Sequence, residues 1–304
     1  MVGEAGADAT GPQARPTPSR SVLLLRRSIS VARGRVLLEH LQQRLAAEGH
    51  RVLEVSYTDL DHAQAVLRGL PRFDACVIQS TFTTITTELL ATLHQKCQIV
   101  AVDGTALVGA DVEAVGTEWG EPLENAVDLL AAQGHRQIAV AMTTHPLLAT
   151  QMGLRRLTHL RQRRPTLDLQ LLPSPDLPGE HYEVELVDRL LALRHSPSTA
   201  PSRLPFTALV VWGVERGAQL RAHLAQAGLA VPQALSVVLL GRTDLPNEHD
   251  GFFDTVGCSV ADQAQALYQA VNAHWQDPTR AYGVTLIPVT RRPGASVGAP
   301  PQAV

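Results

Sequence analysis

Between residues 207 and 241 the hydrophobic positions change period twice. The stretch TALVVWGVERGAQLRAHLAQAGLAVPQALSVVLLG opens on an apolar run of strand length, 209–212. Val214, Ala218, Leu220, Ala222, Leu224 and Ala225 then predict a mostly apolar helix over 214–227. Gly228 follows where a helix C-terminus favours positive φ, which only glycine adopts without steric cost. Val231-Pro232 blocks further helix, and 236–240 is a second continuous apolar run. Unbroken apolar strands on both sides of an amphipathic helix belong to a parallel sheet covered on both faces, so the pattern predicts α/β architecture.

The same alternation runs along the chain. It predicts strands at 22–25, 52–55, 75–78, 99–102, 138–141, 169–172, 209–212, 237–240 and 284–288. Helices are expected at 34–47, 60–69, 84–95, 119–133, 147–162, 179–194, 214–227 and 261–275. Such order produces right-handed βαβ units. LAAEGHRVLEV (45–55) and LAAQGHRQIAV (130–140) both end a helix at glycine and launch a strand within three residues. Each lies near the start of its own run of βα units, which favours two separately wound sheets over one of nine strands; the opposing reading is that helix–Gly–strand joints recur by chance. Residues 1–20 and 297–304 are rich in proline and glycine and poor in large apolar side chains, and are expected to be disordered tails.

Three segments, VGTEWGEPLENAVDLLAAQGHRQIAV (115–140), the 207–241 stretch and DTVGCSVADQAQALYQAV (254–271), resemble the effector-binding portion of the LacI/GalR transcription regulators. A closing strand, VTLIPVTRRPGAS (284–296), fits the same pattern, and the resemblance covers about 21–296. It implies two doubly wound parallel-sheet lobes joined by three crossing segments, the fold of type I periplasmic binding proteins. One lobe is expected at 21–134 plus 260–284, the other at 135–257 plus 285–296, with a ligand cleft between them outside the carboxyl ends of the strands. It further implies a homodimer and an effector-binding role without catalysis. The family's helix-turn-helix head has no counterpart in the 20 residues before Ser21. DNA is therefore an expected partner only if that head is missing from this chain or supplied by a partner.

Residue-by-residue transfer also predicts an altered cleft. The family's sugar-binding arginine falls on Thr150, three before Gly153; its Asn-Asp pair falls on Gly213 and Val214, and its later aspartate on Gly241. A buried pyranose with several unpaired hydroxyls loses about 1–3 kcal/mol for each, so an ordinary sugar effector is not expected. The polar groups expected at the cleft are Arg26, Arg27, Ser80, Thr81, Glu118, Glu121, Thr143 and Arg242, with Trp212 placed to stack on a ring. Arg26, Arg27 and Arg242 suggest an anionic metabolite, since guanidinium binds carboxylate and phosphate bidentately. Against this stand solvated arginines and a tryptophan used for packing.

Composition narrows the classes. Net charge is −3, and the three cysteines (Cys76, Cys97, Cys258) lie far apart, as buried hydrophobes in a reducing cytoplasm would. No apolar run reaches the ~20 residues of a membrane span. Lys96 is the one lysine, which removes most lysine chemistry. No phosphate-binding glycine loop or G-x-S-x-G elbow occurs, and the twelve histidines show no metal-ligand spacing, so neither cofactor nor metal is expected. Asp59 or Asp61 is an expected N-cap. Arg155, Arg156, Arg161, Arg163 and Arg164 form a basic patch, read as a solvated face in preference to a nucleic-acid contact. The resulting expectation is a small-molecule-sensing domain of a LacI/GalR-like regulator that signals by lobe movement. The alternatives are a stand-alone ligand-binding protein and a degenerate dimerising one.

Overall fold

The computed structural model describes residues 18–28, 32–79, 85–105, 111–143, 148–177, 179–194 and 203–301. Ser80, Thr81 and residues 1–17 lie outside them. The chain begins β1 (Ser21–Arg27), α1 (Ala32–Ala47), β2 (Arg51–Tyr57), α2 (Leu60–Gly69), β3 (Phe73–Gln79), α3 (Thr87–Lys96), β4 (Cys97–Asp103) and β5 (Glu113–Gly116). It continues α4 (Gly120–Ala132), β6 (Gln137–Met142), α5 (Leu148–Arg163), β7 (Asp168–Pro173), α6 (Tyr182–Arg194), β8 (Ala208–Trp212), α7 (Gly217–Gln226), β9 (Ser236–Arg242), α8 (Pro246–His249) and β10 (Asp254–Cys258). The last elements are α9 (Val260–Gln276), β11 (Val284–Leu286) and β12 (Thr290–Arg292).

These strands form two six-stranded sheets, ordered β11-β5-β4-β3-β1-β2 and β12-β10-β9-β8-β6-β7. All pairings are parallel except β10 with β12. Each sheet reverses its winding beside its first strand, at β1/β3 and at β6/β8, and such switch points are where open α/β sheets bind ligands. Apolar layers cover both faces of each sheet. In the first lobe α1 and α9 bury Leu37, Leu41, Leu267 and Val271 against Val22, Leu24 and Val77. In the second, α4 and α5 bury Leu123, Val127 and Leu157 against Ile138, Val140 and Val210.

The repeated joint predicted from sequence is present in both lobes. Gly49 and Gly134 have φ of 81° and 98°. His50 N donates to Leu45 O at 3.0 Å and His135 N to Leu130 O at 3.1 Å. These are the same helix-ending turn, which satisfies carbonyls the helix leaves open. Gly228 ends α7 in the same way, with φ 67°.

Three expectations are corrected. The lobe boundary expected at 134 falls ahead of α4, because the apolar face of α4 packs on the second sheet. The chain therefore crosses between lobes at 117–119, at Ser259 and at 287–289. Residues 297–301 are not a loose tail: Gly298 N donates to Ser236 Oγ at 3.1 Å, and Val297 packs on the α4–α5 layer. Val214 precedes α7, which begins at Gly217 because the intervening backbone is held by Glu183; that carboxylate accepts from Glu215 N and Arg216 N at 3.2 and 3.0 Å. Strands β5 and β10 and the short α8 were not anticipated, and the closing strand expected over 284–296 is divided into β11 and β12, one in each sheet.

Candidate functional site

The carboxyl ends of both sheets face one interlobe cleft, and side chains from each lobe meet across it. Arg33, in the first turn of α1, places Nε 3.0 Å from Glu248 Oε1 and donates from Nη2 to Val214 O at 3.3 Å. Glu248 lies on α8, where its other oxygen accepts from Arg242 N at 2.8 Å. Burial raises the Glu248 carboxyl above the usual range, against the opposing pull of Arg33 and Arg242.

A second bridge runs through Arg242, which is buried at the end of β9. Its Nη1 donates to Gln263 Oε1 at 2.5 Å and to Cys258 Sγ at 2.6 Å. Gln263, on α9 of the first lobe, donates from Nε2 to Asp103 Oδ1 at the end of β4. Thr117 Oγ1 donates to Cys258 Sγ at 2.8 Å. Burial pushes Asp103 up to about 6 although Arg242 opposes it. Asp244 ties the crossing at Ser259 by accepting from Val260 N and Ala261 N, at 2.8 and 2.9 Å. Burial raises its carboxyl, but these donors and the Ser259 hydroxyl together hold it below the ordinary value.

The arginine triad expected to bind an anion is distributed among other partners. Arg26 Nε pairs with Glu54 on β2, and Arg27 Nη2 donates to Thr58 O at 3.3 Å. Arg242 is committed to the bridge just described. Each guanidinium thus makes at least one contact within the protein. Glu118 caps α4, accepting from Gly120 N and Glu121 N at 3.0 and 2.8 Å, and pairs with Arg156 at 3.2 Å. The Glu121 side chain is exposed.

Trp212 does stack, but on Trp119, with centroids 5.2 Å apart and planes at 24°. Arg242 lies over Trp119 at 5.8 Å. Thr143 and Thr150 are buried, and Thr150 Oγ1 has no hydrogen-bond partner among the described residues. Gly153 allows α5 to pass Met142: a Cβ there would lie 2.5 Å from Met142 Cε. Gly213 has φ 103°, and a Cβ on Gly241 would lie 2.5 Å from Glu248 Oε2. The Glu248 carboxylate thus fills the space beside Gly241, where transfer from the resemblance had placed the lost aspartate.

Arg33, Glu248, Gln263, Asp103 and Trp119 were missed from sequence. A single hint existed for Arg33: a cation in the first turn of a helix opposes the helix dipole, so something outside the helix must favour it. Gln263 and Asp103 are 160 residues apart, and no local pattern links them. Among the described residues no group of three or more His, Cys, Asp or Glu could hold a metal ion.

The architecture is that of a two-lobed binding protein, and the comparisons with known proteins agree. Residues 127–297 match the periplasmic binding protein-like domain, more than half of the chain. The chain belongs to this family. Against curated protein sequences it finds no match. Similar solved structures include a LacI family transcriptional regulator from Enterococcus faecium with bound ribose (TM-score 0.75, 16% identity, covering 93% of this chain and 100% of that one). A LacI transcriptional regulator from a Rhodococcus species gives TM-score 0.72 and 19% identity, with 92% and 100% covered. The Escherichia coli transcriptional repressor ascG gives 0.71 and 16%, again with 92% and 100% covered. At these identities the likeness is one of fold.

Proposed function

We propose that this chain is the small-molecule-sensing domain of a LacI/GalR-like regulator, which signals by closing its lobes on an effector and does not catalyse a reaction. The observation that carries this reading is the pair of interlobe bridges, Arg33–Glu248 and Arg242–Gln263–Asp103. Polar contacts that span a cleft flanked by three hinge crossings make lobe closure sensitive to whatever occupies the cleft. The ribose named with the Enterococcus faecium structure favours a small polar effector. The loss of the transferred sugar contacts at Thr150, Gly213 and Gly241 argues against binding it in the same way. In this proposal the protein works in the cytoplasm as a homodimer, and any DNA contact comes from outside the described residues, which the two lobes occupy. A second reading, a degenerate dimerisation protein, is favoured by one observation: Glu248 and Arg33 already pair beside Gly241 and Val214.

A thermal-shift panel of sugars, polyols, nucleosides, amino acids and amines separates the two. A ligand at 100 times its Kd stabilises the fold by about 2.7 kcal/mol. The sensor reading predicts a saturable rise in Tm with one class, the ligand being recovered unchanged. No rise with any class, with the protein dimeric by light scattering, supports the degenerate reading instead.

A further inference from the structure

One guanidinium is seated in the cleft of the second lobe, and it belongs to the protein itself. Arg33 reaches across from the first lobe to the Glu248 carboxylate and the Val214 carbonyl. Its side chain is 10% exposed and that of Glu248 only 4%. The fit is imperfect. Although Arg33 Nε and Glu248 Oε1 are 3.0 Å apart, neither atom has an aligned hydrogen-bond partner. Glu215 adds a second carboxylate whose Oε1 is also buried without a partner, close enough to Glu248 to oppose its ionisation. Arg33 is also in a poor place locally, because the first turn of α1 holds no acidic residue to balance it. The neighbouring Glu183 carboxylate is separately matched by Arg216 at 2.9 Å, and Arg242 donates to Gln263 and Cys258.

We propose that Glu248, Glu215 and the Val214 carbonyl form a guanidinium-binding site, that Arg33 fills it as a tethered occupant, and that a small guanidinium compound takes its place. This rests on the reading of the cleft as the effector site and names the chemical class of effector. A free guanidinium can rotate to align donors with Glu248 Oε1 and Glu215 Oε1, which a side chain anchored on α1 does not. Planar N–H pairs match carboxylates better than a rounded ammonium does. Displacement of Arg33 replaces its contact between the lobes with the bound guanidinium, so closure at this bridge then depends on the ligand.

The test is chemical rescue with methylguanidinium at millimolar concentration, read by Tm and by tryptophan fluorescence. Arg33→Ala is expected to melt below wild type and to regain about 2–4 °C on saturation with methylguanidinium. The neutral isostere methylurea should do nothing, and the double variant Arg33→Ala/Glu248→Gln should not respond. Should Arg33→Ala fail to fold, Arg33→Met keeps the aliphatic stem and serves the same comparison. Equal responses from the single and double variants, or none from a folded single variant, overturn the proposal. A wild type that responds to a neutral sugar while the Arg33 variant ignores methylguanidinium leaves the sensor reading standing and removes this one.

Discussion

Asp103 is buried at the end of β4 with its carboxylate facing Gln263 and the Arg242 charge. Burial raises it from 3.8 to about 6, so the folded protein binds this proton more tightly than the unfolded chain does. Its stabilising contribution is therefore complete below the unfolded pKa and is lost as pH rises through about 6. Asp103→Asn carries no such dependence. Relative to wild type it should gain up to about 3 kcal/mol between pH 4 and pH 7, measured by urea denaturation at each pH. A constant difference, or one of opposite sign, contradicts the assignment. Sequence reading reaches some residues and not others for a plain reason. Gly228 and the glycines of the repeated joint declare themselves because a local backbone need selects them. His135 does not: its ring meets Thr207 Oγ1 at 2.8 Å, Ser236 Oγ at 3.0 Å and Gly298 O at 3.0 Å, partners brought together only by the fold.

At the scale of elements, periodicity found the long helices and the strands buried on both faces, where packing imposes a continuous apolar run. It missed β5 and β10 because they are short and carry acids satisfied at a distance. Glu113 pairs with His274 of α9 at 2.7 Å, and the Asp254 carboxylate with Arg291, while the Asp254 backbone N–H donates to the Ser296 hydroxyl. The basic patch of α5 is partly neutralised by α4. Arg156 meets Glu124 at 2.5 Å, and Arg164 pairs with Asp128. The N-terminus of α9 is held both by its own Ser259 and by Asp244 from the other lobe. Asp244→Ala should cost about 1–2 kcal/mol, as loss of a good cap does. Because the folded Asp244 carboxyl lies below its unfolded value of 3.8, that stabilisation exists above this pH and fades as pH falls below it. The difference between variant and wild type in urea denaturation should therefore shrink in acid; a difference that persists would show that the cap does not depend on charge.

The whole molecule is two sheets of one winding, each with its switch point turned toward the other and three chain crossings between them. Two sheets and their grouping could be read from a repeated eleven-residue joint and from family resemblance. The cleft could not be read to the same depth, since Arg33 and Glu248, and likewise Gln263 and Asp103, lie more than a hundred positions apart in the chain. Transfer from relatives identified what had been lost at Thr150, Gly213 and Gly241, but not the Arg33–Glu248 pair that stands there instead. That pair makes the sharpest demand on the account, because lobes that sense by moving must separate when it is cut. Small-angle X-ray scattering of wild type and Arg33→Ala measures this directly, against a radius of gyration of about 19 Å for a compact chain of this length. The account predicts a larger radius for a folded Arg33→Ala than for wild type. Identical scattering from the two would contradict it.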